Sequence, residues 1–222
     1  MEALFLSFRL ALCVSAILLI VGMPLAYWLA YSPWRWKFLL ESVVALPLVL
    51  PPTVLGFYVL IAMGPNGPLG KIWMSVFGHG LAFTFEALVL ASVLYSLPFA
   101  VQPMIAAFGA VDRKLLDASA VLGAGRLRTF RQVILPLSIP GVITAVVLSF
   151  AHTIGEFGVV LMVGGNLPGV TRTVSIDIYD HVQSLEYGEA NRMALVLLVI
   201  SFAVLSVVYA VNRRVWTPWP AK

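Results

Sequence analysis

What most constrains this chain is a series of stretches, each about twenty residues or longer, that carry almost no charge: residues 10–31, 42–63, 81–108, 137–158 and 193–211. A helix needs about 20 predominantly apolar residues to cross the hydrocarbon core of a bilayer. In lipid every backbone amide must be bonded internally, so only helices or a closed barrel can span. Barrel strands are about 10 residues of alternating polarity, whereas these runs are longer and continuously apolar. The expectation is an all-α membrane protein, one domain over residues 1–222, with about five transmembrane helices. Composition agrees, because 61% of the residues are hydrophobic and only 11% are charged, against about 25% charged in an average soluble domain. A water-soluble fold of this composition would expose large apolar patches.

The first apolar segment is longer than the 7–15 residues of a signal-peptide core. Glu2 is also a poor start for a basic leader, so a retained span is expected rather than a cleaved one. The single cysteine, Cys13, lies in that segment with no partner for a disulfide, and it reads as a small apolar residue.

Lysine and arginine accumulate on the cytoplasmic side of membrane proteins. With five spans, one set of connections holds Arg35, Lys37, Arg113, Lys114, Arg126, Arg128, Arg131, Arg213, Arg214 and Lys222. The other holds Arg9, Lys71, Arg172 and Arg192, beside the acids Asp177, Asp180, Glu186 and Glu189. This bias places the N-terminus outside and the C-terminus in the cytoplasm. The net charge of +4 then follows from topology, and no basic stripe interleaved with aromatics suggests nucleic acid.

Prolines are frequent inside the apolar runs: Pro47, Pro51 and Pro52 in the second, Pro98 and Pro103 in the third, Pro136 and Pro140 at the fourth. Each removes an amide hydrogen bond and bends or breaks a helix, a pattern common in transporters and also found in ordinary bundles. The outer connection 64–80 is rich in turn residues. Its Gly70-Lys71 pair does not complete a phosphate-binding loop, because Pro65 and Ile72 stand where glycine and a magnesium-binding hydroxyl are required. His79, His152 and His181 are scattered, without metal-ligand spacing, and no nucleophile–base or carboxylate pair marks a catalytic centre. Neither a metal site nor enzymatic chemistry is expected.

The cytoplasmic connection 109–136 is the most informative. Residues 112–123 read as a short helix with Leu115, Ala118, Ser119 and Leu122 on one face and Arg113, Lys114 and Asp117 on the other. Gly123 is placed to end it. Such a helix at the inner membrane face lies on lipid or docks into a partner's groove, and its physics alone leaves both open.

The pattern Asp117-Ala118-Ser119, then Gly123, then Val133-Ile134-Leu135-Pro136 closely resembles the cytoplasmic EAA loop of binding-protein-dependent ABC importer permeases. It departs by Asp for Glu, Ser for Ala and Val for Ile. The resemblance implies that Leu115, Asp117, Ala118, Ser119, Leu122 and Gly123 couple the chain to a cytoplasmic ATPase. ATP and magnesium would belong to that partner, and this chain would bind no cofactor. It further implies an importer-permease fold in the bacterial inner membrane. The implied partners are a second copy of the chain, two ATPase subunits, a periplasmic or lipid-anchored oxyanion-binding protein, and lipid.

The run Ala45-Leu46-Pro47-Leu48-Val49-Leu50-Pro51-Pro52-Thr53-Val54 resembles the second span of molybdate and sulfate permeases. Gly155-Glu156-Phe157-Gly158, with Gly164-Gly165-Asn166 and Thr171-Arg172-Thr173, resembles the end of their fourth span and the loop beyond it. Length and span number are most similar to the molybdate branch, with sulfate or thiosulfate as the alternative cargo. A gradient-driven secondary transporter is the rival class, and it would have no need of a coupling helix. Hydroxyls and amides suit conduction of a dianion better than fixed positive charge. Thr53 and Thr153, beside Pro52 and Gly155, are therefore candidates for the pathway, the alternative being threonines bonded to their own helix carbonyls. Glu156, flanked by Gly155 and Gly158, is expected to be structural near the outer gate, bonded to backbone or arginine. Glu86 reads as a helix-end or subunit-interface group. Asn166 and Arg172 are candidates for contact with the binding protein.

Overall fold

The computed structural model describes residues 2–215, and it is helical throughout. Lys222, counted above in the basic set, lies outside the described residues. Helix α1 (Glu2–Tyr31), α5 (Phe85–Gly109) and α8 (Leu135–Gly155) pack on one another and enclose the main core. Leu10, Val14, Leu18, Val101, Met104 and Phe108 are fully buried there. The other elements are α2 (Lys37–Val49), α3 (Pro52–Met63), α4 (Pro68–Phe77), α6 (Arg113–Val121), α7 (Arg126–Thr129), α9 (Gly158–Gly164), α10 (Val174–Gln183) and α11 (Tyr187–Val215). One π-helical turn, Phe130–Ile134, joins α7 to α8.

Among the described residues four helices are long and apolar enough to cross a bilayer: Glu2–Tyr31, Phe85–Gly109, Arg126–Gly155 and Tyr187–Ser206. The second expected span is not a straight crossing. It is α2 and α3 with a bend of 113° between them, so the described residues hold four candidate spans, or five if the bent pair is one. The cause is local. Pro51 and Pro52 are adjacent, and neither has an amide to continue the helix. Leu50 is extended with ψ of 137°, the conformation that a residue before proline prefers. Prolines 24, 98, 103 and 140, by contrast, sit inside α1, α5 and α8 without ending them.

The bend has a counterpart. Helix α8 stops at Gly155, Glu156 is extended, and α9 restarts at Gly158. These two breaks meet: a Cβ on Gly158 would lie 2.8 Å from the Pro52 Cβ. Glycine at 158 is what lets the start of α3 lie against the start of α9. At the inner end, the Tyr31 hydroxyl donates to the Phe108 carbonyl (2.6 Å) and the Ser138 hydroxyl to the Ala107 carbonyl (3.2 Å), fixing α1 and α8 to α5.

Helix α4 stands where the sequence reads as a turn-rich connection, and α10 lies in the connection before the last apolar run. The outer ends are held by local bonds: Thr84 caps α5 by accepting from the Ala87 amide (3.2 Å), and the Val174 amide at the start of α10 donates to Ser7 Oγ (2.8 Å). Glu86 lies exposed in the first turn of α5, where an acid suits the helix dipole.

Helices α5 and α8 approach closely at Gly141, where a Cβ would collide with Ala107. Gly141→Ala is expected to lower stability by about 1–3 kcal/mol, read as a lower melting temperature in detergent. Gly109→Ala, with open space around it, should leave the melting temperature nearly unchanged.

Candidate functional site

The segment 112–123 is built by short-range rules. The Asp112 carboxylate accepts from the Lys114 amide (2.9 Å) and caps α6. Gly123 ends it in the left-handed region, φ +76°, where the Ala124 amide reaches back to the Ser119 carbonyl (3.0 Å). Leu115, Asp117, Ala118, Leu122 and Gly123 are exposed. With Val121 and Leu122 more than four-fifths exposed, the outer face of α6 presents an apolar surface.

Ser119 does not belong to that face, which corrects the sequence reading. It is buried, and its hydroxyl shares a hydrogen bond with Thr129 Oγ1 (2.8 Å). Leu116 beside it packs against the main core. The residue that decides this, Thr129, is ten positions away, outside the helix whose periodicity was read.

From Thr129 the linkage continues without a gap. The π-helical turn brings Phe130 against Tyr27 of α1 (ring centroids 5.0 Å) and Phe108 of α5 (6.0 Å), and Ile134 is buried below. A π-helical turn adds a residue to a helical turn and is frequent at functional positions. Here it leads directly into α8, so Arg126–Gly155 is one helical rod of 30 residues. Its far end is the break at Glu156.

Around that break the candidate residues separate. Thr53 is exposed in the first turn of α3. Thr153 is buried, donates to the Ser149 carbonyl (2.8 Å) and pairs with Ser96 Oγ (2.9 Å). Its hydroxyl is bonded to its own helix carbonyl and to Ser96, which is the alternative the sequence left open for this residue. Glu156 is 4% exposed. Ser92 Oγ lies alongside it, yet neither carboxylate oxygen makes a hydrogen bond of full geometry. No arginine pairs with it among the described residues. The expected backbone or arginine partner is therefore absent. His152, one helical turn earlier, stacks on Phe99 (3.9 Å) with Nε2 buried and unbonded.

Asn166 and Arg172 are brought together. Arg172 Nε donates to Asn166 Oδ1 (2.6 Å), Asn166 Nδ2 donates to Asp180 Oδ2 (2.5 Å), and Arg172 lies 3.5 Å from Asp180 and 3.8 Å from Asp177. Their polar groups fasten the loop 164–172 to α10, leaving Leu167 and Val170 exposed at its tip. Among the described residues no group of three or more His, Cys, Asp or Glu side chains could hold a metal ion.

The family model described as "Binding-protein-dependent transport system inner membrane component" matches residues 22–217. The chain is 50% identical to the molybdenum transport system permease protein ModB of Azotobacter vinelandii, covering 96% of this chain and 94% of that protein. It is 38% identical to ModB of Escherichia coli K12, covering 89% and 87%. Among solved structures, the fold matches a bacterial alginate ABC transporter bound to its periplasmic protein, with TM-score 0.73, 17% identity, and 97% and 79% coverage. It also matches the inward-facing MetNI methionine transporter, with TM-score 0.71, 14% identity, and 96% and 94% coverage.

A double-mutant cycle on Ser119→Ala and Thr129→Val is expected to give a coupling energy of about 0.5–1.5 kcal/mol, read from thermal unfolding. Additive effects would mean that α6 is not fastened to the rod by this bond.

Proposed function

Because the chain belongs to the binding-protein-dependent transport system inner membrane components, we propose that it is the membrane-spanning permease of an ATP-driven importer of molybdate. Tungstate, of the same tetrahedral geometry and charge, is its close companion as cargo. Two copies form one pathway, two cytoplasmic ATPase subunits drive it, and an oxyanion-binding protein delivers the cargo from outside. The observation that carries this reading is the apolar outer face of α6 set on a continuous rod. A partner engaging Leu115, Ala118 and Leu122 moves α6. The Ser119–Thr129 bond and the Phe130 cluster carry that movement into α8, and α8 displaces the junction of Gly155, Glu156 and Gly158 with Pro52.

In this reading ATP binding in the partner opens the pathway outward and hydrolysis resets it inward. Thr53, exposed at the junction, supplies a hydroxyl that replaces water around the dianion without trapping it. Buried Glu156 keeps its charge-bearing group away from the anion's route. The loop 164–172, held in shape by Asn166 and Arg172, offers its tip to the binding protein.

Proteoliposomes holding the chain with its ATPase and binding protein test the reading. ATP-dependent uptake of labelled molybdate that excess sulfate barely reduces is the expected result. Uptake dominated by sulfate would move the cargo to the sulfate branch, and uptake independent of ATP would remove the importer reading. Leu122→Asp, which places a charge on the docking face, is expected to abolish ATPase retention on purification while leaving the permease folded. Thr53→Val is expected to slow uptake with ATPase retention unchanged, and normal uptake would remove Thr53 from the pathway.

A further inference from the structure

The inner face of α6 does not rest on protein alone. A cavity of about 460 Å³ lies between the end of α1 and the coupling segment, with Trp28, Tyr31, Leu116, Ala120 and Thr129 in its wall. A second groove of about 300 Å³ runs up the bundle from it, lined by Met23, Pro24, Tyr27, Arg126, Leu127 and Phe130. Tyr27 and Arg126 belong to both. The groove is apolar apart from the Tyr27 hydroxyl and the one guanidinium at its mouth.

The position of this groove along the membrane normal follows from the rod. Thirty residues of helix span about 45 Å, whereas the hydrocarbon core is about 30 Å thick. The surplus puts the first turns, with Arg126, Arg128 and Arg131, in the inner headgroup layer. Trp28, Trp34 and Trp36, each 41–58% exposed, mark the same level, since tryptophan collects at membrane interfaces. Among the described residues no acidic side chain pairs with Arg126, Arg128 or Arg131. The nearby Lys37, by comparison, has Glu41 at 3.9 Å.

We infer that this groove binds one anionic phospholipid of the inner leaflet, its phosphate at Arg126 and an acyl chain along Met23, Tyr27, Leu127 and Phe130. Charge complementarity selects the occupant. Three arginines without an acidic partner at headgroup depth, Arg128 bonded to the neutral Gln132, call for a phosphate, and the groove that starts at Arg126 and runs along Met23 and Phe130 takes a chain. The ATPase-facing residues Leu115 and Leu122 are exposed on α6, whereas Leu116 and Ala120 line the cavity below it. The lipid therefore buttresses the coupling helix from beneath. Basic pockets between spans on the cytoplasmic side are known to hold such headgroups.

The test uses the complex of the chain with its ATPase and binding protein, solubilised with phosphatidylglycerol and phosphatidylcholine in equal amounts. Lipid retention is read by native mass spectrometry and uptake is read separately, so failure of the transport reading is distinguishable from failure of this one. Phosphatidylglycerol should be retained over phosphatidylcholine, and Arg126→Gln should weaken its retention about fivefold. Arg126→Lys should retain most of it, and Arg35→Gln, outside the groove, should change nothing. Equal retention of the two lipids, or an Arg126→Gln chain that holds phosphatidylglycerol normally, overturns the proposal. So does loss of the ATPase in place of the lipid, which would assign the arginines to the protein partner.

Discussion

The hydrogen bond between Ser119 and Thr129, with the aromatic packing of Phe130 on Tyr27 and Phe108, is the attachment on which the rest of the structure depends. A short exposed helix with an apolar outer face has no fixed relation to a bundle unless something inside holds it. Here one partly buried hydroxyl pair fixes α6 to the foot of a helix that continues to the opposite side of the membrane, and three rings fix that foot to α1 and α5. Without that attachment, movement at α6 would dissipate in the connection 122–126.

The two breaks in the apolar runs acquire meaning from this rod. Consecutive prolines stop α2, and a glycine-flanked glutamate stops α8. Gly158 then allows Pro52 and the start of α9 to touch. Broken helices in a membrane are tolerated where protein or water satisfies the freed backbone, and here each interruption supports the other. The far end of α8 therefore lies where two interruptions of the helical backbone meet.

Much of this was legible in the sequence where the rules are local. The short helix over 112–123, the stop at Gly123 and the long apolar helices follow from neighbouring residues. The face of Ser119 was misread because its partner lies on another element. The surroundings of Thr153 were hidden for the same reason: Ser96, which shares a bond with its hydroxyl, lies 57 positions away. The bend at Pro51 was foreseeable in kind but not in angle, and α4 and α10 were hidden by the glycines, prolines and charges around them. Glu156 is the least legible residue. Its surroundings come from Ser92 on α5, and no spacing in the chain announces them.

Pulsed electron–electron distance measurements test the central claim most directly. Spin labels at Val121 on α6 and Leu137 on α8 would be placed in one protomer, in a chain with Cys13→Ala, assembled with its partners in nanodiscs. If α6 and the rod move as one body, the distance between these labels stays constant between the resting and ATP-bound states, while labels at Leu167 on the two protomers change separation. A change of about a helical turn, 5 Å, between Val121 and Leu137 with no change at Leu167 would contradict the account.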